Sequence, residues 1–389
     1  MTKETYLALA AAQYDELRAI GQEPDFYTLE ERFDQLWTAL GRSVLEQTLG
    51  PVPANQQKKN SVQTRFGRVA IAKTNPFSAP VLGSRTSPYL QAKLVLLAAE
   101  HVYAQVPPLV ESLLGIRVST TQVYRRTQAA AQALPAAALD APCPGVSAGA
   151  GPVYGMVDGS MLFTDTGWQE VKVGRVFQHS APASAPASAP ASAPAGQTGP
   201  SQYVAQRGPF ATFTQRFERV LPPDAHADQV FVTDGAQWIH HWLQASYPHA
   251  THILDFYHVA EKLAAAAQAT NAPASWLSAQ YARLWAGQSP AVERAVAALL
   301  GLAAPLADQL VSYLRTNRAR LRYDLFRQRG LLCGSGPVEA AHRTLLQVRL
   351  KRSGQRWSND GLDRLVRLRS ALKSPQRHLL TNLFKNPPA

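Results

Sequence analysis

Apolar positions along this chain change period several times, and each change predicts a change of element. Within the first fifty residues Phe26, Leu29, Phe33, Leu36, Trp37 and Leu40 recur at helical spacing, and the pattern stops at Gly50-Pro51. Residues 61–73 alternate in part and read as a hairpin around Gly67. From 87 to about 133 the spacing is helical again, with Leu94, Leu97 and Ala98, then Val110, Leu113 and Leu114, a turn at 115–119, and a second run from Thr120. Two helices across such a turn fit a helix-turn-helix at about 106–132 or an ordinary helical hairpin. In the first case Ser119 or Thr120 caps the second helix, and Gln122, Tyr124, Arg125 and Arg126 face a DNA groove. Residues 1–133 thus form a helical N-terminal region.

Residues 134–152, rich in Ala, Pro and Gly, read as a linker. Beyond them the pattern is that of strands. A short apolar run from Val153 ends in Asp158-Gly159, residues 170–177 have the β-branched content of a partner strand, and Tyr203-Val204 begins a third. A helix at 209–220 precedes a second apolar run from Gln229 that ends in Asp234-Gly235. A helix at 236–247 precedes the strand that begins at Thr251 and leads into Asp255-Phe256-Tyr257-His258. The Ala-Pro-Ala-Ser repeat at 180–200 lacks the apolar content to fold and reads as a flexible loop. Residues 259–330 are mostly helical, with Trp276 and Trp285 as core residues.

Composition adds a partner class. The 389 residues carry 39 Lys+Arg against 27 Asp+Glu, a formal charge of +12, which points to a polyanion and first to nucleic acid. The excess gathers near the C-terminus, where 343–377 holds ten Lys/Arg and only Asp360 and Asp363 as acids; by itself such a tract also fits a solvated helix face. Two distant cysteines, Cys143 and Cys333, imply neither a disulfide framework nor a zinc site. The N-terminus lacks a leader pattern, and the most apolar stretch, 291–314, is broken by charges, so a cytoplasmic protein away from membranes is expected.

The acids supply the candidate chemistry. An Asp-Gly pair alone most often marks a turn. Here two strands end in one, and Gly334-Ser335-Gly336-Pro337 starts a helix that carries Glu339 in its first turn, with His342 and Arg343 on the same face. Two divalent ions acting on a phosphodiester need carboxylates from different elements, and Asp158, Asp234 and Glu339 meet that need.

Four blocks carry a resemblance: Val157-Asp158-Gly159-Ser160 with the run from Trp168 to Arg175, the segment around Thr233-Asp234-Gly235, the Asp255-to-Leu263 segment, and Gly334 to Trp357. Together they resemble the bacterial insertion-sequence transposases with a DDE triad on a ribonuclease H-like fold. The resemblance implies an α/β catalytic core at 153–258 and 331–374, an all-helical insertion at 259–330 and a tail at 375–389. It implies Asp158, Asp234 and Glu339 as catalytic and metal-binding residues, with Mg²⁺ or Mn²⁺ in a two-metal site. Asp255 and His258 look like a D-x-x-H signature, either orienting a bound water or carboxylate, or simply capping a helix. Double-stranded DNA at element ends and target, held by a homodimer or higher synaptic assembly, would contact Arg343, Arg349, Lys351, Arg352 and Arg356, and Trp357 would pack. The implied reaction is strand cleavage and strand transfer. A nuclease without transfer, a DNA-binding regulator and a decayed transposase are the alternatives.

Overall fold

The alternation at 61–73 forms two short strands, β1 (Ser61–Thr64) and β2 (Gly67–Ala70), paired antiparallel from Ser61 against Ala70 to Thr64 against Gly67. Gly67 closes the turn with φ +96°, where a side chain would also meet Arg42. The structure is a computed structural model that describes residues 2–20, 25–55, 60–146, 151–180, 197–223, 228–299, 301 and 303–386. It divides into two units, Met1–Pro135 with His378–Ala389, and Ala136–Arg377.

In the first unit the helices Pro88–Glu100, Val106–Leu114 and Thr120–Ala133 close around Leu90, Leu94, Ala98, Val106, Val110, Ile116 and Val123. Their ends follow from short polar residues and one glycine. Ser87 and Ser119 each accept a hydrogen bond from a first-turn amide, and Gly115 takes the left-handed conformation that ends the middle helix. The early helical spacing forms Phe26–Leu49, which buries only Leu36. The expected tail at 375–389 is instead partly structured. Leu380, Leu383 and Phe384 form one apolar face of the helix His378–Lys385, which packs on Pro88–Glu100 and Thr120–Ala133.

The second unit is α/β, a mixed five-stranded sheet with helices. β3 (Val153–Thr164) pairs antiparallel with β4 (Gly167–Ser180), and β4 with β5 (Gln197–Arg207). On its other edge β3 pairs parallel with β6 (Gln229–Thr233), and β6 parallel with β7 (Thr251–Leu254), giving the order β5-β4-β3-β6-β7. Of the loop expected at 180–200, residues 181–196 lie outside the described residues, and the rest continue β4 and β5. Of the linker expected at 134–152, residues 147–150 lie outside the described residues. Residues 136–146 join this unit, where Cys143 and Val146 enter the core and the Gln202 side chain donates to the Leu139 and Ala141 carbonyls.

Every residue of β6 is buried, as expected for a parallel strand covered on both faces. Side chains alternate between two cores. Val153, Val157 and Phe231 join the helices Phe210–Val220 and Gln237–Ser246, while Tyr154, Met156, Val230 and Val232 join the helical stretch beyond β7. That stretch, Phe256–Ala269, Ala274–Trp285, Ser289–Ala297, Ala304–Thr316 and Tyr323–Gln328, contains no strand among the described residues, as the mostly helical pattern there predicts. Trp285 stacks on Phe256 at 4.0 Å and Trp276 packs against the same core. No helix among the described residues is long and apolar enough to cross a membrane.

Candidate functional site

The parallel pairing of β3 with β6 ends at Met156 against Val232, two residues before Asp158 and Asp234 on their respective chains. Both acids therefore stand just past the parallel pairing, Asp234 beyond the end of β6 and Asp158 inside β3, which does not end at Asp158-Gly159 as expected but continues to Thr164 against β4. Period two puts Asp158 on the face of Tyr154 and Met156, the face that also receives Val338 from the helix Gly336–His342. One structural rule thus aims Asp158 at the helix of Glu339.

That helix is tied down residue by residue. The Leu332 amide donates to the Tyr154 hydroxyl at 3.0 Å, the Phe256 amide to the Cys333 carbonyl at 2.9 Å, and the Ser335 amide to Asp255 Oδ1 at 3.0 Å. Arg175 on β4 donates to the Pro337 carbonyl at 2.6 Å while its guanidinium lies 4.7 Å from the Phe177 ring centre. Glu339 is exposed, with Ser335 Oγ donating to its Oε1 at 2.6 Å. One turn on, His342 is buried, and its Nε2 sits 3.2 Å from Asp158 Oδ2.

Asp158 and Glu339 share a cleft of about 490 Å³ with Gly159, His342 and Arg343. Asp158 Oδ1 accepts from the Gly159 amide at 2.7 Å. Burial alone would raise its pKa; His342, the Gly159 amide and the charge of His258 outweigh that and hold the carboxyl below its ordinary value. Asp158 is therefore an anion facing a solvent-open cleft.

Asp234 does not line that cleft. Its Oδ1 accepts from the Ala236 amide at 3.0 Å, and its carbonyl accepts from the Tyr313 hydroxyl at 3.2 Å. Among the described residues no group of three His, Cys, Asp or Glu side chains is close enough to hold a metal ion. The structure thus gathers Asp158, Glu339 and His342, and leaves Asp234 adjacent only through strand position.

Asp255 is buried and caps the helix Phe256–Ala269, accepting from the Tyr257 and His258 amides as well as from Ser335. Burial raises its pKa against those hydrogen bonds. Of the two roles expected for it, capping is the one these contacts describe, extended by the hold on Ser335. His258 adds positive potential at Asp158 when protonated.

The basic residues divide. Arg343 lines the acid cleft, and Lys351, Arg352 and Arg356 are exposed. Arg349, expected to meet phosphate, is instead fully buried with its guanidinium 5.2 Å from the Trp357 ring centre, so it is turned into the interior and away from solvent. Trp357 packs as expected, its indole donating to the Leu350 carbonyl. In the first unit Tyr124 and Arg125 are exposed, whereas Gln122 donates to Thr86 and Arg126 to the Leu82 carbonyl. The latter two fasten their own unit.

The i, i+3 spacing alone puts His342 on the face of Glu339, but its contact with Asp158 depends on where β3 lies. Nothing in the sequence announced the π-helix Arg343–Gln347, whose Thr344 and Leu345 carbonyls accept from the buried Arg369 guanidinium. Such widened turns recur beside functional sites. The chain matches no protein-family model and no curated relative.

Proposed function

We propose that this chain is a metal-dependent DNA strand-cleaving and strand-transferring enzyme, a DDE transposase of an insertion sequence on a ribonuclease H-like fold. The observation that carries the reading is the cleft in which Asp158, from the middle of β3, meets Glu339, from a helix far along the chain. Asp158 and Glu339 at the cleft, joined by Asp234 from outside it, are hard oxygen donors of the kind Mg²⁺ or Mn²⁺ takes, and would together hold a metal pair able to activate the attacking oxygen and stabilise the leaving one.

The chain's own residues do the rest. His342 orients the Asp158 carboxylate, in the way that partners behind a metal ligand fix its geometry. Asp255 positions the helix of Glu339 through the Ser335 amide. Arg343 at the cleft, with exposed Lys351, Arg352 and Arg356, attracts the DNA backbone. The helices Val106–Leu114 and Thr120–Ala133 act as a helix-turn-helix that presents Tyr124 and Arg125 to element ends. Two ends held together call for a dimer or larger assembly.

The test is an assay of a labelled donor duplex with target plasmid and Mg²⁺. Cleavage followed by joining of the labelled 3′ end to plasmid supports the reading, and loss of both in Glu339→Ala assigns them to this cleft. Cleavage without joining identifies a nuclease. DNA binding with no chemistry, unchanged by that substitution, leaves a regulator.

A further inference from the structure

A second cleft of the sheet unit is lined by more arginines than carboxylates. It measures about 420 Å³ and lies among β5, the helix Phe210–Val220 and the helix Asn359–Lys373. Arg207, Arg216, Arg219, Arg364 and Arg367 line it, against two acids, Asp140 and Asp363. None of its residues lines the Asp158 cleft.

Both acids are already engaged. Arg207 grips Asp363 through two bonds of 2.9 and 2.7 Å, and Arg216 meets Asp140 through Nε and Nη2 at 2.9 and 2.8 Å. The five guanidinium groups and two carboxylates that line the cleft sum to a formal charge of +3 around one concavity. Arg219 reaches Asp140 only at 3.8 Å, with its side chain 64% exposed, and Arg364 is half-buried on the facing helix. Burial, then repulsion from Arg216, pushes Arg367 below the ordinary guanidinium pKa. An arginine cannot relieve such repulsion by losing its proton near neutral pH. An arriving anion relieves it instead.

Guanidinium donors set in fixed forks match the oxygens of phosphate, and a groove of one sign concentrates the opposite charge. We propose that this cleft binds phosphates of a nucleic-acid backbone, a contact surface separate from the acid cleft; the choice of nucleic acid rests on the function proposed above. Gln206, Thr212 and Gln215 at the same cleft add neutral hydrogen-bonding groups.

The test uses the full chain and a short fluorescein-labelled DNA duplex, with anisotropy read over a range of salt. Arg219→Gln with Arg364→Gln removes two charges and spares both bidentate pairs. Its slope of log affinity against log salt should fall by about 2, with affinity reduced about 10- to 100-fold at moderate salt. Arg219→Gln alone, at a largely exposed side chain, should lower the slope by about 1. A control pair of equal charge, Lys3→Gln with Arg294→Gln, should leave slope and affinity near wild type. Unchanged slope and affinity in the cleft variants, with wild-type melting, would overturn the proposal. So would loss of pyrophosphate binding with duplex binding intact, since that identifies a small-molecule site. A chain that binds duplex through these arginines yet never cleaves DNA upholds the cleft and sinks only the catalytic reading. Normal cleavage with unaltered salt slopes does the reverse.

Discussion

Asp158 in β3 and Asp255 after β7 each come at the end of an apolar run, yet their surroundings make them opposites. Asp158 keeps 40% of its side chain open, and its carboxyl is held below the ordinary pKa. Asp255 is only 4% exposed, its oxygens accept from three backbone amides, and burial raises its pKa. The element just downstream of each acid decides the difference. A helix begins directly after Asp255, so unsatisfied first-turn amides are at hand and the carboxylate folds back onto them. After Asp158 the strand continues in register with β4, and among the described residues the Gly159 amide is the one backbone group that donates to its side chain. The aspartate inside a continuing strand stays open to the cleft, whereas the one at a helix start is taken up by its amides.

This contrast can be broken most sharply by replacing each acid. Asp158→Ala should lower strand cleavage at least about 10³-fold, about 4 kcal/mol of transition-state stabilisation. Its urea unfolding free energy should shift by no more than about 1 kcal/mol. If cleavage survives, Asp158 is not part of the chemistry. Asp255→Ala should do the converse to stability, costing about 2–3 kcal/mol in urea unfolding because three amides lose their acceptor, while Asp255→Asn should recover part of that. A destabilised Asp255→Ala with full activity would dissociate its capping role from the positioning of Glu339.

Titration sharpens the same comparison on a smaller scale. The lowered Asp158 pKa contributes stability above the ordinary value of 3.8 that is lost as pH falls through the folded-state value. The raised Asp255 pKa works the other way. It favours the fold below 3.8, and that contribution is lost as pH rises through its folded-state value. Stability profiles of Asp158→Asn and Asp255→Asn against wild type should therefore diverge in opposite directions across the acid range. His342→Gln should bring the Asp158 titration, followed by carboxyl carbon NMR, back up towards or above 3.8. A parallel shift in both variants would erase the distinction. The smallest effect is expected at the third acid, where Tyr313→Phe removes one hydrogen bond to the Asp234 carbonyl and should cost about 1 kcal/mol or less in urea unfolding.

Much of the sheet unit was legible because its elements are locally written. The run at 229–233, the helical stretch after β7 and the helix start before Glu339 each arise from periodicity or from Gly, Ser and Pro at a boundary. The basic tract was less legible, because a charged residue does not declare its direction. Arg349 and Arg352 lie three residues apart, but the first is buried against Trp357 and the second is exposed. The helix His378–Lys385 read as a tail because its partners, Pro88–Glu100 and Thr120–Ala133, are remote in the chain. The arginine cleft was invisible for the same reason, being assembled from β5 and two helices separated in sequence.

The sequence by itself located the sheet strands but not their ends, since β3 and β4 run past the expected limits and β5 begins before Tyr203. It also placed the helices that interrupt them, Asp158 and Asp234 after matching apolar runs, and Glu339 in the first turn of its helix. Hydrophobic period and turn chemistry act over a few residues, so they can be read without the fold. Only the tertiary structure decided which acids face one cleft, that His342 stands against Asp158, that Asp255 is consumed as a cap, and that Arg349 and Arg369 lie inside. Those outcomes depend on burial and on charges brought close by distant chain, and electrostatic interactions take their strength from that surrounding medium rather than from residue type.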